Sequence, residues 1–198
     1  MAHINSIGAG MFSDLAVAKP ATPPTFASLD TEGEFVALFA SEIDSVGGTP
    51  AANTFVRIKN VREFPSMGTP PNIVNVPTYG QKTSQQIQGQ SDAPSLEVTV
   101  NFVPTEWASG TLLGAMVGDG NQYAFRFTLM NSAPTGTTAA TKYASLAAGL
   151  GTTQNSEYYW VGKIEALLVN PQLTDANTAT VTMSIQSAFY GAYTVAAA

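Results

Sequence analysis

Five carboxylates, Asp30, Glu32, Glu34, Glu42 and Asp44, crowd the stretch between residues 30 and 44, and no Lys or Arg falls between Lys19 and Arg57. Paired carboxylates can serve as the acid and base of a glycosidase, and oxygen clusters can hold calcium. The spacing matches no EF-hand loop, and charge runs of this kind are most often solvated surface. The sole histidine is His3 and the chain has no cysteine, so one copy cannot assemble a His-based triad or a structural zinc site. The glycine pairs in IGAGMFS and VGDGNQ lack the Lys and Ser/Thr of a phosphate loop and the third glycine of a dinucleotide turn, and read as turns. Trp107 and Trp160 offer faces on which a sugar could stack, but each sits in an apolar pattern that favours a core role. Without nucleophile, base or metal ligands, an enzyme is the least supported class, and no cofactor is implied.

The elements that must position these residues belong to a chain of 198 residues, enough for one domain with a real core. Its apolar fraction of 44% is ordinary, but its charged fraction of 11% is under half the ~25% of typical soluble domains. A surface built from Thr, Ser, Asn, Gln, Ala and Gly suits burial against further copies. The net charge of −6 argues against a protein that grips phosphate, since such affinity comes from clustered Lys and Arg. The first twenty residues lack the basic and apolar regions of a secretory signal, and no apolar run approaches the ~18 residues of a membrane span, so a protein made and left in the cytosol is expected.

Residues 1–29, rich in Gly, Ala, Pro and Thr and containing KPATPP, read as an extended arm, with 30–198 as a single β domain. EFVALFA is a short apolar run of undecided period, read here as a strand. Three segments alternate cleanly. In SLEVTVNF, Leu96, Val98, Val100 and Phe102 oppose Glu97, Thr99 and Asn101. In QYAFRFTLM, Tyr123, Phe125, Phe127 and Leu129 share a face. In TATVTMSIQSAF, Val181, Met183 and Ile185 oppose Thr178, Thr180, Thr182 and Ser184. YYWVGKIEALLV directs Trp160, Ile164 and Leu168 inward. Half-buried antiparallel strands produce such patterns. TEWASGTLLGAMVG predicts a short helix capped by Thr105 and ended by Gly118. Two stretches interrupt the strands: 65–94, roughly thirty residues where compact domains seldom tolerate more than ~12–15, and 131–156.

The order of these parts, an arm, a strand, a long polar loop, a strand ending in NFVP, the helix TEWASGTLLGAMVG, the aromatic strand QYAFRFTLM and a final pair of long strands, resembles the major tail tube protein of long, non-contractile-tailed bacteriophages. The Chi-like siphophages are the nearest in flavour. The resemblance spans about Thr25 to Tyr193 and rests on organisation, without a catalytic signature. It implies an antiparallel β-sandwich or barrel with one short flanking helix and long assembly loops. It further implies hexameric rings whose inner sheets join into a barrel around a DNA channel, stacked into a tube. The protein would be made in the host cytoplasm and reside in the virion tail. Its expected partners are itself, a tape measure protein, a tail terminator, tail-tip proteins and DNA in transit, and no membrane.

On that likeness the loop 65–94 orders against a neighbouring subunit or ring through Met67, Ile73, Val74, Val76, Tyr79 and Ile87, together with arm residues Met11, Phe12 and Phe26. Its Gly and Gln content cannot bury enough apolar area to fold alone. A channel for DNA must ignore or repel phosphate, so Glu97, Thr99, Asn101, Thr178, Thr180, Thr182 and Ser184, with Glu165, are the expected lumen residues. Arg57, Lys59 and Lys163 on the same polar faces depart from a wholly acidic channel, and are expected to pair across strands or to sit at subunit contacts. A capsid-decoration or fibre protein, or a carbohydrate-binding module, is the alternative.

Overall fold

The computed structural model describes residues 13–18, 29–51, 53–68, 71–91, 95–130 and 155–194. Among these the chain is mainly β, with a nine-stranded mixed sheet, a separate two-stranded hairpin and two short helices. In chain order the elements are β1 (Asp14–Ala18), α1 (Glu32–Leu38), β2 (Ser41–Glu42), β3 (Thr54–Arg57), β4 (Val61–Glu63), β5 (Pro71–Val76) and β6 (Gln85–Ser91). There follow β7 (Leu96–Asn101), α2 (Leu112–Met116), β8 (Tyr123–Met130), β9 (Asn155–Asn170), β10 (Thr178–Ile185) and β11 (Tyr190–Thr194). The large sheet runs β2-β3-β1-β8-β9-β10-β7-β4, with β11 also on β9, and only β2 and β3 are parallel.

Strands β3 and β4 lie toward opposite ends of that order, yet only residues 58–60 separate them. The sheet therefore rolls until its two ends approach. Asn60, in the left-handed region at φ 59°, makes the corner. Its carbonyl accepts from the Asn101 amide at 2.9 Å, while the Ile58 amide donates to the Leu15 carbonyl at 2.9 Å, so one short segment ties both halves together. The space enclosed is a dry core of Val56, Val98, Phe125, Trp160, Val181 and Met183 with their neighbours. The alternation expected for β7, β8 and β10 supplies most of it. Phe102 lies beyond β7 and Leu129 near the end of β8, and both are partly buried against the same core. Phe125 stacks on Trp160 at 5.4 Å.

Four expectations are corrected. EFVALFA is helical: the Glu34 carboxylate accepts from the Thr31 amide at 3.2 Å and its hydroxyl at 2.8 Å, a capping box that starts α1. Phe35 and Phe39, four apart, then fall on one buried face. Residues 14–18 of the expected arm are instead an interior strand, with β1 paired to both β3 and β8. The second helix begins at Thr111, not Thr105; the Thr111 hydroxyl accepts from the Gly114 amide at 3.1 Å, and residues 104–110 are turns and bends. Gly114 permits this closeness, because a Cβ there would stand 2.0 Å from the Ala108 carbonyl oxygen. Finally, β8 is covered on both faces, since α1 roofs the side bearing Ala124, Arg126 and Thr128.

Candidate assembly surfaces

Strands β7, β10 and β9 bring the expected lumen residues onto one outer face. Their registers set Thr182 beside Glu97, Thr180 beside Thr99 and Thr178 beside Asn101, with Ser184 beside Lys163 on β9. The Ser184 hydroxyl donates to Glu165 at 2.7 Å and accepts from the Gln186 amide at 3.2 Å. Glu97, Asn101 and Glu165 are exposed, and Thr99, Thr180, Thr182 and Ser184 are half-buried. Thr178 departs from the expectation. It is only 8% exposed, hemmed by Asn101 on one neighbouring strand and Asn170 on the other.

A bulge at Glu165 shapes this face. Thr182 opposes Ala166, but Met183 opposes Ile164, so Glu165 is the extra residue and the inward parity of β9 reverses beyond it. Leu167 consequently turns to the core, whereas Leu168, expected inside, is 60% exposed.

The face carries Glu97 and Glu165 against one cation, Lys163. Arg57 lies instead on the α1 side of the sheet, where its guanidinium grips the buried Asp14 carboxylate through Nε at 2.7 Å and Nη2 at 2.6 Å. Lys59 approaches Asp44 at 3.9 Å, and Arg62 approaches Asp175 at 3.5 Å. A cleft of about 280 Å³ is lined by Asp14, Arg57, Lys59, Arg62 and Phe64, and each of its cations meets an aspartate.

Beneath α1 lies a charged layer that the sequence did not disclose. Arg126 is fully buried with its guanidinium over the rings of both Phe39 (4.9 Å) and Phe55 (4.8 Å), and its nitrogens have no hydrogen-bond partner. Asp14, Thr128 and Glu157 form a row across β1, β8 and β9. The Tyr159 hydroxyl donates to Glu157. Burial pushes the Glu157 carboxyl above its ordinary range, with Arg126 pulling the other way. Burial likewise raises Glu42, opposed by Arg57. The exposed Glu34 is lowered, chiefly by the hydroxyl of Thr31.

Within the interruption at 65–94, residues 71–91 form a hairpin and not an irregular loop. Strands β5 and β6 pair antiparallel, with Val74 opposite Ile87 and Val76 opposite Gln85, and neither joins the large sheet. Val74, Val76 and Ile87 share one face and Ile73 lies on the other. All four are exposed, and Tyr79 is fully so. Met67 is different: expected at a neighbour, it packs partly buried against its own core beside Phe64, whose ring meets Phe127 at 5.2 Å. It anchors the base of the hairpin. Met11, Phe12, Phe26 and residues 131–154 lie outside the described residues.

Both tryptophans are buried, so neither offers a sugar platform. Among the described residues no group of His, Cys, Asp and Glu is placed to hold a metal, and no helix is long and apolar enough to cross a membrane. No family model fits the chain and no curated protein matches it.

Proposed function

We propose that this protein is a structural, non-enzymatic subunit that polymerises with copies of itself, of the tail tube type found in long-tailed bacteriophages. In this reading six subunits close a ring, rings stack, and the β7–β10–β9 face lines a channel through which DNA passes into the host. The observation that carries it is the shared placement of Glu97, Thr99, Asn101, Thr180, Thr182, Ser184 and Glu165 on one hydroxyl- and carboxylate-bearing face, backed directly by a dry core. Such a face offers phosphate few donors of positive charge, so DNA slides without sticking. The short edge strands β2 and β4 are the surfaces available for pairing between subunits, which would remove the hazard of open sheet edges. Tape measure, terminator and tip proteins would then be the partners that set tube length and ends, and the virion tail its location.

Negative-stain electron microscopy over a concentration series, with light scattering on the same samples, tests this. Hollow tubes or stacked rings of constant width are expected, if need be on addition of tail-tip complexes as nuclei. Closed trimers, or a monomer that stays monomeric with those nuclei present, would overturn it.

A further inference from the structure

Helix α1 is seated by rings. Phe35 stacks on Tyr159 at 5.2 Å and meets Tyr190 at 5.5 Å, while Phe39 meets Phe55 at 5.7 Å and Tyr159 at 5.9 Å. The polar groups of the helix turn back on their own segment. The Glu34 carboxylate accepts from the Asp30 and Thr31 amides, the Phe35 amide donates to the Thr31 carbonyl, and the Phe39 amide donates to the Val36 carbonyl. None of the ion pairs among the described residues joins α1 to the sheet. The helix has seven residues, Gly33 among them, well short of the ~12–15 at which an isolated helix becomes even marginal in water. It exists because its rings are docked.

Backbone ties to the sheet begin only past the helix. The Ser41 amide donates to the Asn53 carbonyl at 3.1 Å and the Ile43 amide to the Phe55 carbonyl at 2.9 Å, while the Ser45 carbonyl accepts from the Leu112 amide at 2.8 Å. Residues 41–45 are thus fixed to β3 and to the start of α2, and residues 31–39 are held by side chains.

What those side chains cover is polar. The Arg126 nitrogens, Thr128 Oγ1 and Glu157 Oε1 are buried without a hydrogen bond, and Glu32 on α1 bears on Glu157 with the same sign of charge. Seating α1 strips water from these groups, and lifting it returns that water, which offsets part of the lost aromatic contact. The dry core on the other face, with Val98, Val181 and Met183, has no such return. Strands β1, β8 and β9 stay paired to one another and packed on that core whether α1 is seated or not.

We infer that α1 is a lid: residues 31–39 lift together, hinged where β2 begins, and admit solvent to the Arg126–Glu157 layer while the sheet and its dry core stay closed. Openings of this kind lie in free energy between the fraying of termini and global unfolding. The lid belongs to the single subunit and stands apart from the tube reading.

The chain has no cysteine, so one introduced thiol reports on one side of the sheet at a time. Ala124, under α1, and Ala179, in the dry core, are both fully buried. Thiol labelling of A124C and A179C in native buffer, each rate divided by that of the urea-unfolded chain, should differ by about a hundredfold or more, with A124C the faster. The A124C rate should stay flat at low urea, whereas the A179C rate should climb with the slope of global unfolding. V98A hollows the dry core, and should speed A179C about tenfold or more while leaving A124C within about twofold, because that core is the same with the lid open or shut. A16C repeats the measurement from β1 if A124C disturbs the fold. Amide exchange in the parent chain needs no substitution: the Phe35 and Phe39 amides should exchange by a urea-independent route and those of β10 by global unfolding. Equal labelling rates with equal urea slopes, acceleration of A124C and A179C alike by V98A, or a Phe35 amide protected as well as those of β10 would overturn the lid.

Discussion

The sheet has two buried sides built from the same strands, and they are made on different terms. On one side of β8 and β9, Phe125 and Trp160 stack within a core of aliphatic side chains. On the other, one residue along each strand, Arg126 and Tyr159 lie under α1 among Phe35, Phe39 and Phe55, with Glu157 and Asp14 beside them. The first side gains from every methylene it removes from water. The second buries charge, which gains little unless each group is paired, and there the Arg126 nitrogens, Thr128 Oγ1 and one oxygen each of Glu157 and Asp14 lack a hydrogen bond. Stability should therefore reside in the dry side, and conditional behaviour in the charged one.

The largest effect should come from breaking the dry side. Phe125→Ala removes a fully buried ring stacked on Trp160, and should cost about 3–5 kcal/mol in urea unfolding, much of the stability of an ordinary domain. Arg126→Met, one position along the same strand, should behave oppositely. It exchanges a buried cation whose nitrogens lack hydrogen bonds for an apolar side chain packed on two phenyl rings, and at pH 5 should raise stability by about 1–2 kcal/mol. A loss of about 3 kcal/mol or more would mean the guanidinium is well compensated, and the contrast between the two sides would fail.

How far the sequence announces these two sides differs in the same way. Alternation in SLEVTVNF and TATVTMSIQSAF finds the dry core and the polar outer face together, because a period of two assigns both at once. It cannot find the charged layer: in QYAFRFTLM, Arg126 and Thr128 occupy the positions that alternation gives to solvent, and only the roof of α1 makes them interior. That roof was itself readable, since Thr31 and Glu34 are spaced as a capping box, but seven apolar-rich residues do not declare their own period. The interior role of DLAVA was obscured by the Gly- and Pro-rich sequence around it. Leu168 was misdirected by a bulge at Glu165 that only cross-strand pairing reveals. In 65–94 the apolar residues were recognised as anchors without a partner of their own, while Gln-rich β6 carried too little strand propensity to suggest a hairpin.

The charged side should also set a pH dependence. The folded-state pKa of Glu157 lies above its ordinary value of 4.5, so folding takes up a proton. Its contribution is complete below that ordinary value and is lost as pH rises through the folded-state value, with a slope of at most ~1.4 kcal/mol per pH unit. Glu42 adds in the same direction. Glu157→Gln fixes the neutral form and deletes the Glu157 part. The groups that face this carboxyl are Arg126, Tyr159, Thr128 and Glu32. Urea midpoints of parent and variant should converge near pH 4 and separate toward pH 7, with E157Q the more stable. Parallel curves would show that folding leaves the Glu157 carboxyl unshifted.

Tyr159→Phe is the finest cut, since it removes one oxygen from the charged side and keeps the ring that stacks on Phe35 at 5.2 Å. The hydroxyl donates to Glu157, and that hydrogen bond favours the ionised carboxyl. Its loss should cost about 1 kcal/mol, a typical net value for one intramolecular hydrogen bond, with the larger part appearing at high pH where the carboxylate needs the donor most. The variant should therefore enlarge the Glu157 part of the pH dependence, which E157Q deletes, and Y159F combined with E157Q should titrate like E157Q alone. Equal losses at pH 4 and pH 7 would assign the hydroxyl a packing role, leaving the conditional behaviour of this side to Arg126 and Glu157 without it.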